Sequence, residues 1–161
     1  MRLLFVCLGN ICRSPTAEAV MRELAEREGL ADALTIDSAG TGDWNVGRPP
    51  DPRAAAAAAR RGLTLTGRAR QVRPEDFERF DLMLAADRAN VRDLHTIVPD
   101  AGRTARIELL RSFDPQSVAD GELEVPDPYW DGEDGFEHVL DLIERSCSGI
   151  VTQLLAGDLR R

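Results

Sequence analysis

Cys7 opens a short segment that combines a nucleophile with groups able to hold an anion. Five residues separate Cys7 from Arg13, and Ser14 and Pro15 follow. The apolar run 3–6 before it is typical of a strand buried on both faces of a parallel sheet, and Ser14 and Pro15 are suited to cap and open a helix. A loop between such elements directs backbone N–H groups inward, and the helix dipole adds positive charge. The pattern predicts a phosphate-binding loop.

The same segment is suited to nucleophilic attack on phosphorus. Arg13 supplies a planar, permanently charged group that can bind two phosphate oxygens at once. This cation and the helix dipole also favour a thiolate at Cys7. Attack by that thiolate on a phosphate ester would give a phosphocysteine, which water must then cleave. The predicted nucleophile and the predicted anion site therefore coincide.

Asp127 is the candidate for proton transfer. It would protonate the leaving oxygen in the first step and, as a carboxylate, take a proton from water in the second. Prolines on both sides of Asp127 stiffen its backbone and could hold the carboxylate over the loop. Asp87 has two open interpretations, since it could cap the helix that it precedes or contact Arg13.

Three aromatic residues could line a slot for a flat ring. Tyr129 and Trp130 follow Asp127 closely, and Trp44 lies in a long loop, 40–52, rich in Gly and Pro. Long ordered loops of this kind are often functional. A slot of this composition would suit phosphotyrosine.

Five short motifs follow one another along the chain: Cys7–Pro15, Asp37–Thr41, Asp43–Gly47, Asp51–Arg53 and Asp127–Trp130. In kind, order and overall chain length they resemble the low-molecular-weight protein tyrosine phosphatases of bacterial type. We take the resemblance to extend over residues 1–161. It implies a single phosphatase domain that hydrolyses phosphotyrosine in proteins without a cofactor. It also implies that phosphate and other oxyanions inhibit this activity.

The resemblance also implies a role for each matched residue. Cys7 would be the nucleophile, Arg13 the phosphate clamp and Asp127 the general acid and then base. The loop and the aromatic residues would bind substrate: Leu8, Gly9, Asn10, Ile11, Cys12, Ser14, Trp44, Tyr129 and Trp130.

Three of the implied roles concern support of the loop. Ser14 would donate a hydrogen bond that stabilises the thiolate, and Asn10, bonded to Ser38, would hold the loop in a costly conformation. Members of the family often carry a His shortly before the segment 69–71, where it supports these bonds. Residues 66–68 contain no His here, so we expect Asn10 to be held less firmly.

The acid motif also ends in Tyr129 and Trp130, where many members have two tyrosines.

The three cysteines form no disulfide framework, since their number is odd and no export signal precedes them. Cys12 has two open interpretations: a small core residue, or a partner that traps oxidised Cys7 as a reversible disulfide. Cys147 is predicted to be a packing residue. His95 and His138 have no paired ligand at metal spacing, so no metal site is predicted.

Alternation of strands and helices predicts an α/β fold, a small doubly wound parallel sheet with helices on both sides. Cys7 falls at the carboxyl end of a strand, where such sheets bind ligands. The predicted strands are 3–6, 34–38, 81–86 and 107–110, and residues 114–135 are predicted to be loop. One helix is predicted to begin at Pro15 after a cap at Ser14, and three others to span 53–61, 87–95 and 136–155.

Composition limits the classes of function. A net charge of -8 disfavours nucleic-acid binding. No apolar run is long enough for a membrane helix, and the start of the chain does not fit a signal peptide. A cytoplasmic protein is expected, with export by a route that needs no signal peptide left open.

Other functions predict different residues. Thiol-dependent arsenate reduction uses a similar fold but needs further cysteines near the nucleophile, and the segment 81–92 has none. Phosphoarginine hydrolysis would favour a pocket for a guanidinium, whereas Tyr129 and Trp130 favour an aromatic ring. A phosphate-binding interaction module would need neither the thiol nor the acid, and both are present.

Overall fold

Four parallel strands form a sheet at the centre of the fold: β1 (Arg2–Cys7), β2 (Thr35–Gly40), β3 (Leu82–Ala85) and β4 (Arg106–Leu109). The computed structural model describes residues 1–98 and 104–159. The strands lie in the order β2-β1-β3-β4, and each neighbouring pair is parallel. The predicted α/β fold with a parallel sheet is confirmed.

Within these two ranges six α-helices accompany the sheet: α1 (Arg13–Arg27), α2 (Pro52–Arg60), α3 (Asp76–Arg79), α4 (Arg88–Ile97), α5 (Pro115–Asp120) and α6 (Glu133–Ala156). Leu3 and Phe5 of β1 belong to a core shared with α1, α2 and α6. Leu4 and Val6 point to the other face and share a second core with α3 and α4. Among the described residues, no helix is both long and apolar enough to cross a membrane.

The sheet order places Cys7 at a topological switch point, where successive connections lead to opposite sides of β1. β1 pairs with β2 on one side and with β3 on the other, so the connections after β1 and after β2 run to opposite sides of it. In such sheets the crevice at the carboxyl ends of the strands is the usual ligand site. The backbone beyond β2 also holds the loop after β1, because the N–H groups of Thr41 and Gly42 donate to the carbonyls of Cys7 and Leu8 at 2.9 Å each.

The first helix begins differently from the prediction. α1 starts at Arg13, one residue before Ser14, and Cys12 precedes it without a side-chain cap. The prediction that Ser14 caps the helix is therefore wrong, because its hydroxyl is used by the loop instead. Pro15 still lies in the first turn, where a missing N–H removes no helical hydrogen bond.

Besides the start of α6 at Glu133, three residues earlier than predicted, the predicted loop 114–135 is wrong in two further places. It contains α5 and a 3₁₀-helix, Pro128–Trp130. Asp114 begins α5 by accepting from the backbone N–H of Gln116 at 3.2 Å and from the hydroxyl of Ser117 at 2.6 Å. Both helices are too short for a periodic pattern of apolar residues, so capping residues were the available signal.

Gly149 of α6 packs directly against the backbone of Phe113. A β-carbon there would lie 1.8 Å from the carbonyl oxygen of Phe113. Alanine improves helix propensity by about 1 kcal/mol, but overpacking against backbone typically costs about 1–3 kcal/mol and a contact this short is severe. We expect Gly149→Ala to lower the free energy of unfolding by about 2 kcal/mol, the upper end of the overpacking cost less the gain in propensity, measured by urea denaturation.

Ser148→Ala is the control, since Ser148 is exposed on the same helix. It should leave the unfolding free energy unchanged or raise it slightly. Equal stability of the two variants would contradict the close packing at Gly149.

Candidate active site

The loop from Leu8 to Cys12 curls around the sulfur of Cys7. The backbone N–H of Asn10 donates to Cys7 Sγ at 3.3 Å, and Ser14 Oγ lies 3.0 Å from the same atom. The thiol is buried. Asn10 Nδ2 donates to Ser14 Oγ at 2.8 Å, so the hydroxyl hydrogen of Ser14 is free to point at the sulfur. Two hydrogen-bond donors, the N–H of Asn10 and the hydroxyl of Ser14, therefore point at the Cys7 sulfur.

Asn10 holds the loop in its curled form. Its φ of 53° is the only positive φ of a non-glycine residue in the part of the chain that the structure describes. Its Nδ2 donates to Ser14 and also to Ser38 Oγ at 3.1 Å, and its Oδ1 accepts from the N–H of Arg70 at 2.9 Å. The bond from Arg70 fixes which side of the amide is oxygen. All three hydrogen bonds of the side chain thus support one left-handed backbone conformation, which is otherwise costly.

Glu18 completes this network, and the sequence reasoning did not identify it. Ser38 Oγ donates to Glu18 Oε2 at 2.6 Å, and Arg22 donates to Glu18 Oε1 at 2.8 Å. A carboxylate only accepts, so Ser38 must give its hydrogen to Glu18 and accept from Asn10. Glu18 lies four residues after Ser14 on α1, and this spacing places both on one helix face.

The residues 66–68 supply no imidazole, yet Asn10 is fully hydrogen-bonded. Ser38, one of its partners, is in turn anchored by a partly buried carboxylate of α1. That Asn10 is held less firmly than in relatives with the His stays a prediction. A small cavity of about 90 Å³ lies beside Glu18, Ser38 and Gly67.

Arg13 is buried at the start of α1 with its charge balanced. Its Nη1 donates to Asp87 Oδ2 at 2.7 Å and to the carbonyl of Val125 at 3.0 Å. Burial acts against the charge, but Cys7, Asp87 and Asp127 outweigh it and raise the pKa of the guanidinium. Asp87 Oδ1 also accepts from the N–H of Asn90 and caps α4. Both interpretations of Asp87 are therefore correct, one for each carboxylate oxygen.

Asp127 lies opposite the loop and is half exposed. Its Oδ2 is 3.5 Å from Arg13 Nη2, and its Oδ1 accepts from the backbone N–H of Tyr129 at 3.1 Å. This second bond caps the 3₁₀-helix Pro128–Trp130. The carboxylate is within reach of a group bound by Arg13 and remains accessible to water, with 47% of its side chain exposed.

One cleft, of about 310 Å³, brings the predicted residues together. This volume is at the small end of the range for ligand pockets. Asn10 and Ser14 are set back from it and support the loop from behind. Asn45 and Arg48 also line the cleft, and the sequence reasoning missed them, although Asn45 lies in a motif that it quoted. The lining residues predicted from the sequence are Cys7, Leu8, Gly9, Ile11, Cys12, Arg13, Trp44, Asp127, Tyr129 and Trp130.

Comparison with known proteins identifies the family. A family model described as low molecular weight phosphotyrosine protein phosphatase matches residues 2–159. The chain belongs to this phosphatase family. The resemblance predicted from the five sequence motifs is confirmed.

Relatives of this family member are similar over nearly their whole length. A low molecular weight protein-tyrosine-phosphatase of Streptomyces coelicolor is 47% identical over 150 residues, which cover 93% of this chain and 91% of that protein. A protein tyrosine phosphatase from Entamoeba histolytica, crystallised with Hepes in its active site, has a TM-score of 0.91 at 38% identity and covers 99% of both chains. A Drosophila arginine phosphatase has a TM-score of 0.88 at 32% identity, covering 96% of this chain and 98% of that one.

The aromatic residues give this family member an apolar rim. The rings of Tyr129 and Trp130 meet edge to face, with centroids 4.9 Å apart. Trp130 is 90% exposed, so most of its indole is available beyond the cleft. Trp44 is exposed at the cleft as well.

The left-handed conformation of Asn10 can be tested with two variants. Asn10→Gly and Asn10→Ala both remove the three side-chain hydrogen bonds, each worth about 1 kcal/mol. Alanine must also adopt a positive φ, which costs a residue with a β-carbon about 1–2 kcal/mol. We expect Asn10→Ala to be less stable than Asn10→Gly by about 1 kcal/mol in urea unfolding. Within helices the order is the reverse, so a more stable alanine variant would contradict this conformation.

Proposed function

We propose that the protein hydrolyses phosphotyrosine in proteins through a phosphocysteine intermediate on Cys7. The observation that carries the proposal is the convergence of a buried thiol, a buried guanidinium and an accessible carboxylate on one cleft. Membership of a phosphatase family supports it.

In the first step the Cys7 thiolate attacks phosphorus and the bond from phosphorus to the tyrosine oxygen breaks. Asp127, protonated at this stage, gives its proton to the leaving oxygen. Nη1 of Arg13 is engaged by Asp87 and Val125, so Nε and Nη2 are the pair left for two phosphate oxygens. The backbone N–H groups of the loop bind the remaining negative charge.

In the second step water cleaves the phosphocysteine. Asp127, now a carboxylate, takes a proton from the attacking water while the bond from sulfur to phosphorus breaks. The products are inorganic phosphate and the Cys7 thiolate, stabilised by Ser14 and by the N–H of Asn10. Phosphate and other tetrahedral oxyanions fit the same donors and should inhibit competitively.

The aromatic rim favours phosphotyrosine over phosphoarginine. Leu8, Trp44 and Tyr129 offer apolar faces to a flat ring at the cleft. Protein arginine phosphatase activity remains a second candidate, because the chain is similar to the Drosophila arginine phosphatase over nearly its whole length.

Arsenate reduction and simple phosphate binding have less support. Arsenate reduction needs a relay of thiols that extends beyond Cys7 and Cys12, but the third cysteine, Cys147, is fully buried and donates to the carbonyl of Ala17 between α6 and α1. Burial raises the pKa of the Cys147 thiol. A phosphate-binding module would not need Asp127 at the cleft.

The redox role of Cys12 stays a prediction. In this role, peroxide oxidises Cys7 to a sulfenic acid, and the Cys12 thiol condenses with the sulfenic acid, releasing water and forming a disulfide. A small thiol later reduces that disulfide. Burial, together with Asp51 and Cys7, raises the pKa of Cys12. Cys12 is therefore held as the neutral thiol, which keeps it from competing with Cys7 as a nucleophile.

Two substitutions test the roles of the thiol and the acid. Cys7→Ser should abolish turnover of phosphotyrosine, because a hydroxyl at this site is not ionised. Asp127→Asn should lower kcat/KM by about 10²–10⁴-fold, the usual worth of general acid catalysis, while a phosphotyrosine mimic still binds. Turnover of each variant is measured by phosphate release, and binding of the mimic by calorimetry. Wild-type turnover by Cys7→Ser would overturn the proposal.

A substrate panel separates the candidate activities. Matched peptides carrying phosphotyrosine, phosphoarginine or phosphoserine, and arsenate with a thiol reductant, should be compared at equal enzyme concentration. We expect the highest kcat/KM for phosphotyrosine and low rates for the others. A higher value for phosphoarginine would assign the second candidate activity instead.

A further inference from the structure

We propose that Arg53 is a positioning residue for the general acid: it links the nucleophile loop to the segment that carries Asp127. The inference rests on the proposed function, which assigns proton transfer to Asp127. Arg53 lies in the first turn of α2 and does not line the cleft. Its effect would therefore be transmitted through the backbone of residues 127–130.

The segment that carries Asp127 is anchored at its start. The N–H of Val125 donates to the carbonyl of Ala86 at the end of β3, at 2.7 Å, and the carbonyl of Val125 accepts from Arg13 at 3.0 Å. These bonds hold the chain two residues before Asp127. Beyond Asp127 the chain forms a single turn of 3₁₀-helix, which is a weak element by itself.

Arg53 anchors the other end of the segment. Its Nη1 donates to the carbonyl of Tyr129 at 2.8 Å. Its guanidinium carbon lies 5.2 Å from the centroid of the Tyr129 ring and 4.9 Å from that of Phe136, in the first turn of α6. Both distances are within the range of cation–π attraction. Arg53 thus contacts the backbone and the ring of Tyr129.

The backbone of Tyr129 connects Arg53 to the acid. Its carbonyl accepts from Arg53, and its N–H donates to Asp127 Oδ1 at 3.1 Å. Movement of this residue would move the donor that orients the carboxylate. The position of the acidic oxygen therefore depends on the bond from Arg53.

On its other side Arg53 is tied to the nucleophile loop through Asp51. Asp51 Oδ1 accepts from Arg53 Nε at 3.1 Å and Oδ2 accepts from Nη2 at 2.9 Å, a two-point contact that fixes the guanidinium plane. Asp51 is buried, and the hydrogen bond from Arg53 holds the pKa of this carboxyl below its ordinary value. The N–H of Asp51 donates to the carbonyl of Ile11 at 2.7 Å.

The resulting bridge runs from Ile11 through Asp51 and Arg53 to Tyr129. It spans the separation between the loop around Cys7 and the segment of Asp127. Lysine cannot reproduce it, because a single ammonium lacks the planar fork that binds Asp51 at two points and Tyr129 at a third. A misplacement of about 1 Å in catalytic geometry can cost roughly a hundredfold in rate.

The leaving group distinguishes positioning of the acid from a merely structural role. p-Nitrophenolate leaves without a proton, whereas phenolate needs one. We expect Arg53→Met to lower kcat/KM for phenyl phosphate by roughly 10- to 100-fold, and for p-nitrophenyl phosphate by less than about threefold. Arg53→Lys should behave like Arg53→Met.

The matched control is Arg60→Met, which removes a cation from the same helix. Arg60 pairs with Glu133 and Glu137 of α6, away from the cleft. It should leave both kcat/KM values unchanged. Circular dichroism and urea unfolding check the fold of each variant; if Arg53→Met does not fold, Arg53→Gln carries the same comparison.

Combination with Asp127→Asn separates this inference from the proposed function. In the Asp127→Asn background, Arg53→Met should cause no further loss with phenyl phosphate, because it acts through Asp127. An equal loss with both substrates, or an additive loss in the double variant, would overturn the role of Arg53. If Asp127→Asn itself affected both leaving groups equally, the assignment of the acid would fail instead.

Discussion

The loop around Cys7 depends on one residue in a costly conformation, Asn10, whose N–H points at the sulfur and whose side chain is held by a buried polar network. Asn10 adopts a positive φ that costs about 1–2 kcal/mol, and three hydrogen bonds of its side chain offset that cost. The order of donors and acceptors is fixed from outside, since the carboxylate of Glu18 can only accept. The Ser14 hydrogen is thereby directed at the sulfur. The positive φ of Asn10 and the direction of the Ser14 hydroxyl toward Cys7 are both results of one hydrogen-bond network.

The two carboxylates around Arg13, those of Asp87 and Asp127, have different roles. Asp87 is tied to α4 by one oxygen and to Nη1 by the other at 2.7 Å, so it balances the buried charge permanently. Asp127 is farther away, at 3.5 Å, and half exposed. A bound phosphate could displace Asp127 from Nη2 without leaving Arg13 unpaired. The same carboxylate is then free to exchange a proton.

The sequence predicted best those features that depend on neighbouring residues. The spacing of Cys7 and Arg13 after an apolar strand predicted the loop and its place in the sheet, because β1 and α1 are continuous with it. Glu18 of α1 was missed because its partner, Ser38, belongs to β2, twenty residues further along the chain, and no local pattern shows that contact. Ser14 was predicted to be a cap, which is its most common role at this place. Its hydrogen bonds with Cys7 and Asn10 decide its actual role, which the family resemblance implied but the pattern of residue types alone did not.

Two arginines from distant parts of the chain hold the backbone on either side of Asp127. Arg13 holds Val125 and Arg53 holds Tyr129, whereas the carboxylate between them stays accessible to water. This arrangement reconciles two conflicting requirements. Protonating a leaving group demands a fixed geometry, which burial would provide, but taking a proton from water demands access, which burial would prevent. Holding the backbone on both sides, and the carboxylate by one oxygen through the N–H of Tyr129, meets both requirements. It also explains how an arginine outside the cleft can act on the acid inside it.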